Sequence, residues 1–247
     1  MTWASECVNW LFGRGLSIGC NLSWSAPTEW RSIPREETIE RIKGTLRKEM
    51  GSPSVDSSVI QRFLRFLEQQ TAPNWSSRFI TTNWDYLLQR EIQALNLEAL
   101  PDWLANSHVF HLNGTVEELE DNSHRSPFLL EEDSAAQRCF TPEANIVYNQ
   151  MMWDRTFVVV GMSFECETDK FLLSALGRVE DELPIGESTW VVVNRNSSAL
   201  ERSCSRIASV LPRASVKDVC ADFNSWFERG LPELQECGAI PKSPTSE

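Results

Sequence analysis

"TFVVVGMSFECETDKFLLSALGRV", residues 156–179, is the stretch on which the fold turns. Its apolar run, Phe157 to Val160, is rich in β-branched valine and continuous rather than alternating, the pattern of a strand covered on both faces. Through Gly161 it leads into a helix. The same strand-turn-helix unit occurs in "ECVNWLFGRGLSIGCNLSW" (6–24), in "RFITTNWDYLLQREIQAL" (78–95), where Leu87, Leu88 and Ile92 share a helical face, and in "STWVVVNRNSSALERSCSRI" (188–207). Strands alternating with helices at these lengths imply βαβ units. The expected fold class is therefore α/β: a mostly parallel sheet with helices on both faces. In such sheets ligands bind outside the carboxyl ends of the strands, so the turns that follow the strands are where chemistry belongs.

Between these units lie two stretches of a different kind. "REETIERIKGTLRKEM" and "SSVIQRFLRFLEQQ" repeat apolar residues at three- and four-residue spacing, as Ile60, Phe63, Leu64 and Leu67 do, and predict two amphipathic helices in a helical insertion over residues 36–74. Residues 117–154 begin acidic and turn helix-like near "PEANIVYNQMMW", an excursion from the sheet rather than a domain. One domain over residues 1–236 is expected, followed by a Pro- and Ser-rich flexible tail at 237–247.

Composition narrows the partners. With 23 basic and 35 acidic residues the net charge is −12, which repels phosphate backbones and disfavours nucleic acid as a primary partner. The longest apolar runs fall far short of the ~20 residues of a membrane span, and no signal-peptide pattern opens the chain. A cytoplasmic location is the expectation. Seven cysteines, none in a C-x-x-C pair, and three histidines give no adjacent ligand pairs for a tetrahedral zinc site. No zinc or other metal is expected.

Four turns then stand out, with the one in "SHVFHLNGT" (107–115) as a fifth. In "GRGLS" the close glycines Gly13 and Gly15 let a backbone approach a diphosphate, whose oxygens the following amides can bind; an ordinary turn needs such glycines too. No strand ending in Asp or Glu follows at the distance a hydride-transfer dehydrogenase requires. "TTNWD" delivers Thr82, Asn83 and Asp85 to the rim, either as ligands or as caps of the next helix. "GMS" (161–163) and "VVVNRN" (191–196) carry the same double reading, turn with cap or phosphate- and ribose-binding loop. In "HLNG", His111 and Asn113 lie two apart and project to one side of an ideal strand.

Taken in order, "GRGLS", "TTNWD", "HLNG", "GMS" and "VVVNRN" resemble the sirtuin family and its sirtuin-like relatives, from about Val8 to Phe227. The resemblance implies a Rossmann-like sheet holding NAD. Gly13, Gly15 and Ser17 match the loop that faces the diphosphate, Gly161 and Ser163 the loop near the adenosine phosphates and ribose, and Asn194 the residue meeting the adenosine half. Asn83 and Asp85, beside Thr82, match the nicotinamide side, where the family's asparagine orients the nicotinamide ribose and a water. Three departures matter. Arg14 replaces a small residue of the glycine loop, the paired cysteines of the zinc module are absent, and the family's general-base histidine, which directly precedes the glycine, is here Asn113.

An asparagine cannot accept a proton at neutral pH, which argues against lysine deacylation. Cleavage of the nicotinamide bond by water asks for less, because the leaving group is already cationic and oriented dipoles can stabilise an oxocarbenium-like state. The resemblance thus implies a sirtuin-like NAD glycohydrolase, of the kind that serves bacterial antiviral defence. Asn83 and Asn113 would supply dipoles, and His111 a base if the strand tilts it inward. The alternative is a catalytically silent module that binds NAD or ADP-ribose as a signal. A protein partner or a homo-oligomer is compatible with either.

Overall fold

The computed structural model describes residues 6–22, 25, 27–70, 75–95, 109–116, 128–130, 133, 142–182 and 186–237. Among them six strands form one parallel sheet: β1 (Glu6–Phe12), β2 (Trp75–Thr81), β3 (Phe110–His111), β4 (Thr156–Val160), β5 (Ser188–Val193) and β6 (Ala214–Val219). Their order is β3-β2-β1-β4-β5-β6. This is the doubly wound Rossmann order, in which the chain builds outward from β1, returns, and builds outward again on the other side. β1 pairs β2 from Glu6↔Trp75 to Phe12↔Thr81 and pairs β4 from Val8↔Thr156 to Phe12↔Val160. The carboxyl ends of these three central strands are therefore level, and the turns leaving them meet.

Period-two side-chain alternation sends neighbouring residues of each strand into two separate cores. On one face Trp10, Phe12, Val158, Val160, Val191 and Val193 pack with α2 (Arg35–Met50), α3 (Ser58–Gln70), α4 (Leu87–Leu95), α8 (Phe223–Glu228) and α9 (Pro232–Glu236). On the other, Leu11, Phe157, Val159, Trp190 and Val192 pack with α5 (Pro142–Asp154), α6 (Glu167–Glu182) and α7 (Ser197–Val210). Phe157 and Trp190 stack at 4.1 Å between ring centres. Both faces of the central strands are buried, which is why "TFVVV" and "WVVV" show no polar alternation.

The amphipathic pair expected within residues 36–74 is present as α2 and α3. Glu36 and Glu37 in the first turn of α2 and Arg47 and Lys48 in its last oppose the helix dipole favourably. Ile60, Phe63, Leu64 and Leu67 of α3 are each 1% exposed or less, and Phe63 sits edge-on to Trp10 at 4.8 Å. Burial of such side chains stabilises by roughly 1.5–3 kcal/mol each. Helix α5 covers the helix-like end of the 117–154 stretch, whereas its acidic beginning and the tail beyond residue 237 lie outside the described residues. No helix among the described residues is long and apolar enough to cross a membrane.

Candidate functional site at the carboxyl rim of the sheet

At the end of β1 the chain turns through Gly13 and Gly15 into α1 (Arg14–Gly19), directly beside the turn at Gly161 that ends β4. Gly13 N donates to Val160 O at 3.0 Å, Gly15 N to Gly161 O at 2.8 Å, and Leu16 N to Gly13 O at 3.1 Å. A Cβ on Gly15 would lie 2.5 Å from the Gly161 Cα, and one on Gly13 2.7 Å from the Met162 Cα. The glycines thus let two backbone turns touch. The amides of Gly13, Gly15 and Leu16 all donate inside the protein. Gly161 has a φ of +62°, a left-handed conformation that costs other residues about 1–2 kcal/mol.

The turn after β2 locks onto this pair. Asn83 Nδ2 donates to Gly13 O at 3.0 Å and to Ser17 Oγ at 2.9 Å, and Ser17 Oγ donates onward to Asp85 Oδ2 at 2.6 Å. The other Asp85 oxygen accepts the Leu87 amide at 3.2 Å and so caps α4. Of the two readings of "TTNWD" the cap is seen directly, at Asp85, while Asn83 ties this turn to the glycine loop. Burial raises the Asp85 carboxyl above its ordinary range, opposed by its bonds from Ser17 and from backbone amides.

Strand β3 ends at His111, so Asn113 leaves from the turn rather than from an extended strand. Both side chains still reach the β2–α4 turn. Asn113 Nδ2 donates to Thr82 O at 2.7 Å, and His111 Nδ1 stands 3.5 Å from Asn83 O with its ring stacked on Tyr86. Burial pushes the His111 imidazole down to about 4, and its Nε2 meets no partner among the described residues. It is a neutral side chain behind the turn.

These turns frame a cleft of about 620 Å³ at the point where the sheet's order reverses, the place and size of a small-molecule site in this architecture. Its polar wall includes Ser17, Thr82, Asn83, Asp85, Asn113 and Asp169. Its apolar wall comes from Leu22, Trp30, Ile33, Ile42, Leu46 and Leu130, and Arg14 also lines it. Arg35 closes one side, gripping Asp133 through Nε at 2.7 Å and Nη2 at 2.6 Å. Trp84 stacks on Phe128 at 5.3 Å and donates to Leu129 O at 2.9 Å. The cleft brings together five of the residues singled out by sequence: Ser17, Thr82, Asn83, Asp85 and Asn113.

No known protein family matches the chain, and no curated protein matches it. Among solved structures, one described as "Structural Basis for the Mechanism and Regulation of Sir2 Enzymes" is similar over 96% of this chain and 95% of its own, at 14% identity and a TM-score of 0.46.

Other sequence candidates stand outside the cleft lining. Gly13, Gly15 and Gly161 form the packed wall behind it, and His111 lies beneath. Ser163 Oγ accepts the Glu165 amide at 3.4 Å, and Asn194 Oδ1 accepts the Asn196 amide at 2.9 Å, each closing the turn after its own strand. Sequence reasoning missed Asp169, Arg35, Asp133 and Trp84. Asp169 reads as an ordinary acid in the first turn of a helix; its signal was the position, directly after the Gly161 turn. Among the described residues no cluster of three or more His, Cys, Asp or Glu side chains is arranged to hold a metal.

Proposed function

We propose that the protein is a cytoplasmic NAD hydrolase, releasing nicotinamide and ADP-ribose. The observation that supports this best is the polar wall at the switch point, where Asn83, Ser17 and Asp85 form one hydrogen-bonded chain facing a cleft of about 620 Å³. The ordered motif resemblance supplies the ligand. In this reading the cleft takes the nicotinamide ribose against Thr82, Asn83 and Asn113. Asn83 is held rigid by its two bonds, so the rest of its amide points in a fixed direction and reorganises little as charge develops at the ribose. The resemblance assigns Asp85 to the nicotinamide side, and the apolar wall shields the breaking bond from bulk solvent, so that the attacking water is a positioned one. The resemblance extends the proposal to a role in antiviral defence.

A second reading, a silent NAD or ADP-ribose sensor, is favoured by one observation: the Asn113 amide that replaces a histidine is bonded to Thr82 O. Incubation with NAD separates the two. Nicotinamide in large excess over protein supports the hydrolase, whereas a ligand-dependent rise in melting temperature without turnover supports the sensor.

A further inference from the structure

The cleft contains a carboxylate that the motif resemblance does not assign. Asp169, in the first turn of α6, is 5% exposed and lines the cavity. Its Oδ1 accepts the Thr82 hydroxyl at 2.9 Å. Thr82 is also the residue whose carbonyl takes the Asn113 amide at 2.7 Å, and it immediately precedes Asn83. One residue therefore ties the Asp169 carboxylate, the Asn113 amide and the Asn83 turn into a single wall of the cleft.

A carboxylate at this point of a helix commonly serves the free amides of the first turn, and Asp169 does accept a bond from the Phe164 backbone. Capping alone does not call for a buried, cavity-facing acid. Burial raises its carboxyl, opposed by the bonds from Thr82, Cys166 and Phe164, with no cation contributing. Such a group costs stability when ionised and is better suited to hold a proton briefly than an ordinary surface aspartate.

We propose that Asp169 is the general base of NAD cleavage, doing from the α6 side of the cleft what Asn113 cannot do from the β3 side. The inference rests on the reading of this cleft as the cleavage site. The C1′–N bond breaks with its electron pair going to the nicotinamide nitrogen. A water oxygen forms the new C1′–O bond, the water proton passes to the Asp169 carboxylate, and from there it leaves through the mouth of the cleft. NAD and water give nicotinamide, ADP-ribose and one proton.

Among the described residues, the other charged or titratable groups around the cleft are Arg14 of α1, Asp85 of the β2–α4 turn, the Arg35–Asp133 pair and Cys166. His111 lies beneath it. The test compares nicotinamide release against pH for the wild type, Asp169→Asn and Thr82→Val. The base must be ionised, so wild-type kcat should fall as pH drops, along a limb lying above the ~3.9 of a free aspartate. Asp169→Asn should lose at least about 100-fold in kcat with little change in KM, and should lose that limb. It should also melt no lower than wild type at neutral pH, because the amide removes a buried charge. If that variant fails to fold, Thr82→Val keeps the question open: loss of the hydroxyl that favours the ionised form should move the limb to higher pH. An Asp169→Asn variant with wild-type kcat, or a limb unmoved in both variants, overturns this inference alone. A wild-type protein that releases no nicotinamide overturns both this and the function on which it rests.

Discussion

Replacement of Gly15 by alanine probes the contact on which the whole rim is built. The new Cβ would sit 2.5 Å from the Gly161 Cα and 3.0 Å from the Gly161 carbonyl oxygen. Carbon atoms in ordinary contact lie about 3.5–4.0 Å apart, so the two turns must part by roughly 1 Å. Both sides of the clash are backbone, and no side chain can rotate away. Parting stretches the 2.8 Å Gly15 N to Gly161 O bond beyond hydrogen-bonding range. Overpacking costs about 1–3 kcal/mol, and the buried carbonyl that loses its donor adds about 1–2 kcal/mol. At ~2–4 °C per kcal/mol for a chain of this size, a loss of about 3–4 kcal/mol lowers Tm by about 10 °C. Gly44→Ala is the control. Gly44 lies on the exposed side of α2 with nothing within 4 Å of an added Cβ, so the better helix former should raise stability by about 0.5–1 kcal/mol. Thermal melts of the three proteins decide the matter. A Gly15→Ala protein melting within about 2 °C of wild type would refute the packed-turn account.

Other substitutions separate the roles of the rim residues. Asn83→Ala removes two hydrogen bonds, to Gly13 O and Ser17 Oγ, and should cost about 2 kcal/mol of stability; in NAD cleavage it should lower kcat far more than affinity for ADP-ribose, as titration calorimetry beside turnover assays would show. For His111 the sign runs one way: with a folded-state value of about 4 against an ordinary ~6.5, it is neutral in both states above pH ~6.5. As pH falls from there towards 4, only the unfolded chain takes the proton, and about 3 kcal/mol of stability is lost. Urea melts of His111→Phe should therefore show a flatter dependence over that window, and an unchanged slope would mean that His111 is not buried neutral. Between the two side chains beneath Thr82 and Asn83, Asn113→Ala should damage turnover more than His111→Ala; the reverse order would return the base to the imidazole.

Much of the fold was legible because its central strands are buried on both faces and therefore announce themselves as unbroken apolar, Val-rich runs, as in Phe157 to Val160 and Trp190 to Val193. Strand β6 gave no such signal. It is an edge strand, carries Lys217 and Asp218, and is half-exposed along most of its length, as an edge that must resist pairing with other chains should be. The rim was legible where residues follow a strand directly, as Asn83 and Asn113 do. It was not legible where the cleft draws on elements distant in sequence: Arg35 grips Asp133 across 98 positions, and Thr82 reaches Asp169 across 87. The glycines were found, but no motif reveals that Gly15 also meets Gly161 across the sheet.

Nicotinamide release from NAD by the purified protein, measured side by side for wild type and Asn83→Ala, tests the central claim most directly. The account predicts that wild type turns over many times per chain and that Asn83→Ala, folded and still stabilised by ADP-ribose, turns over at least about 100-fold more slowly. A wild type that yields no nicotinamide, or an Asn83→Ala variant that matches it, would contradict the account.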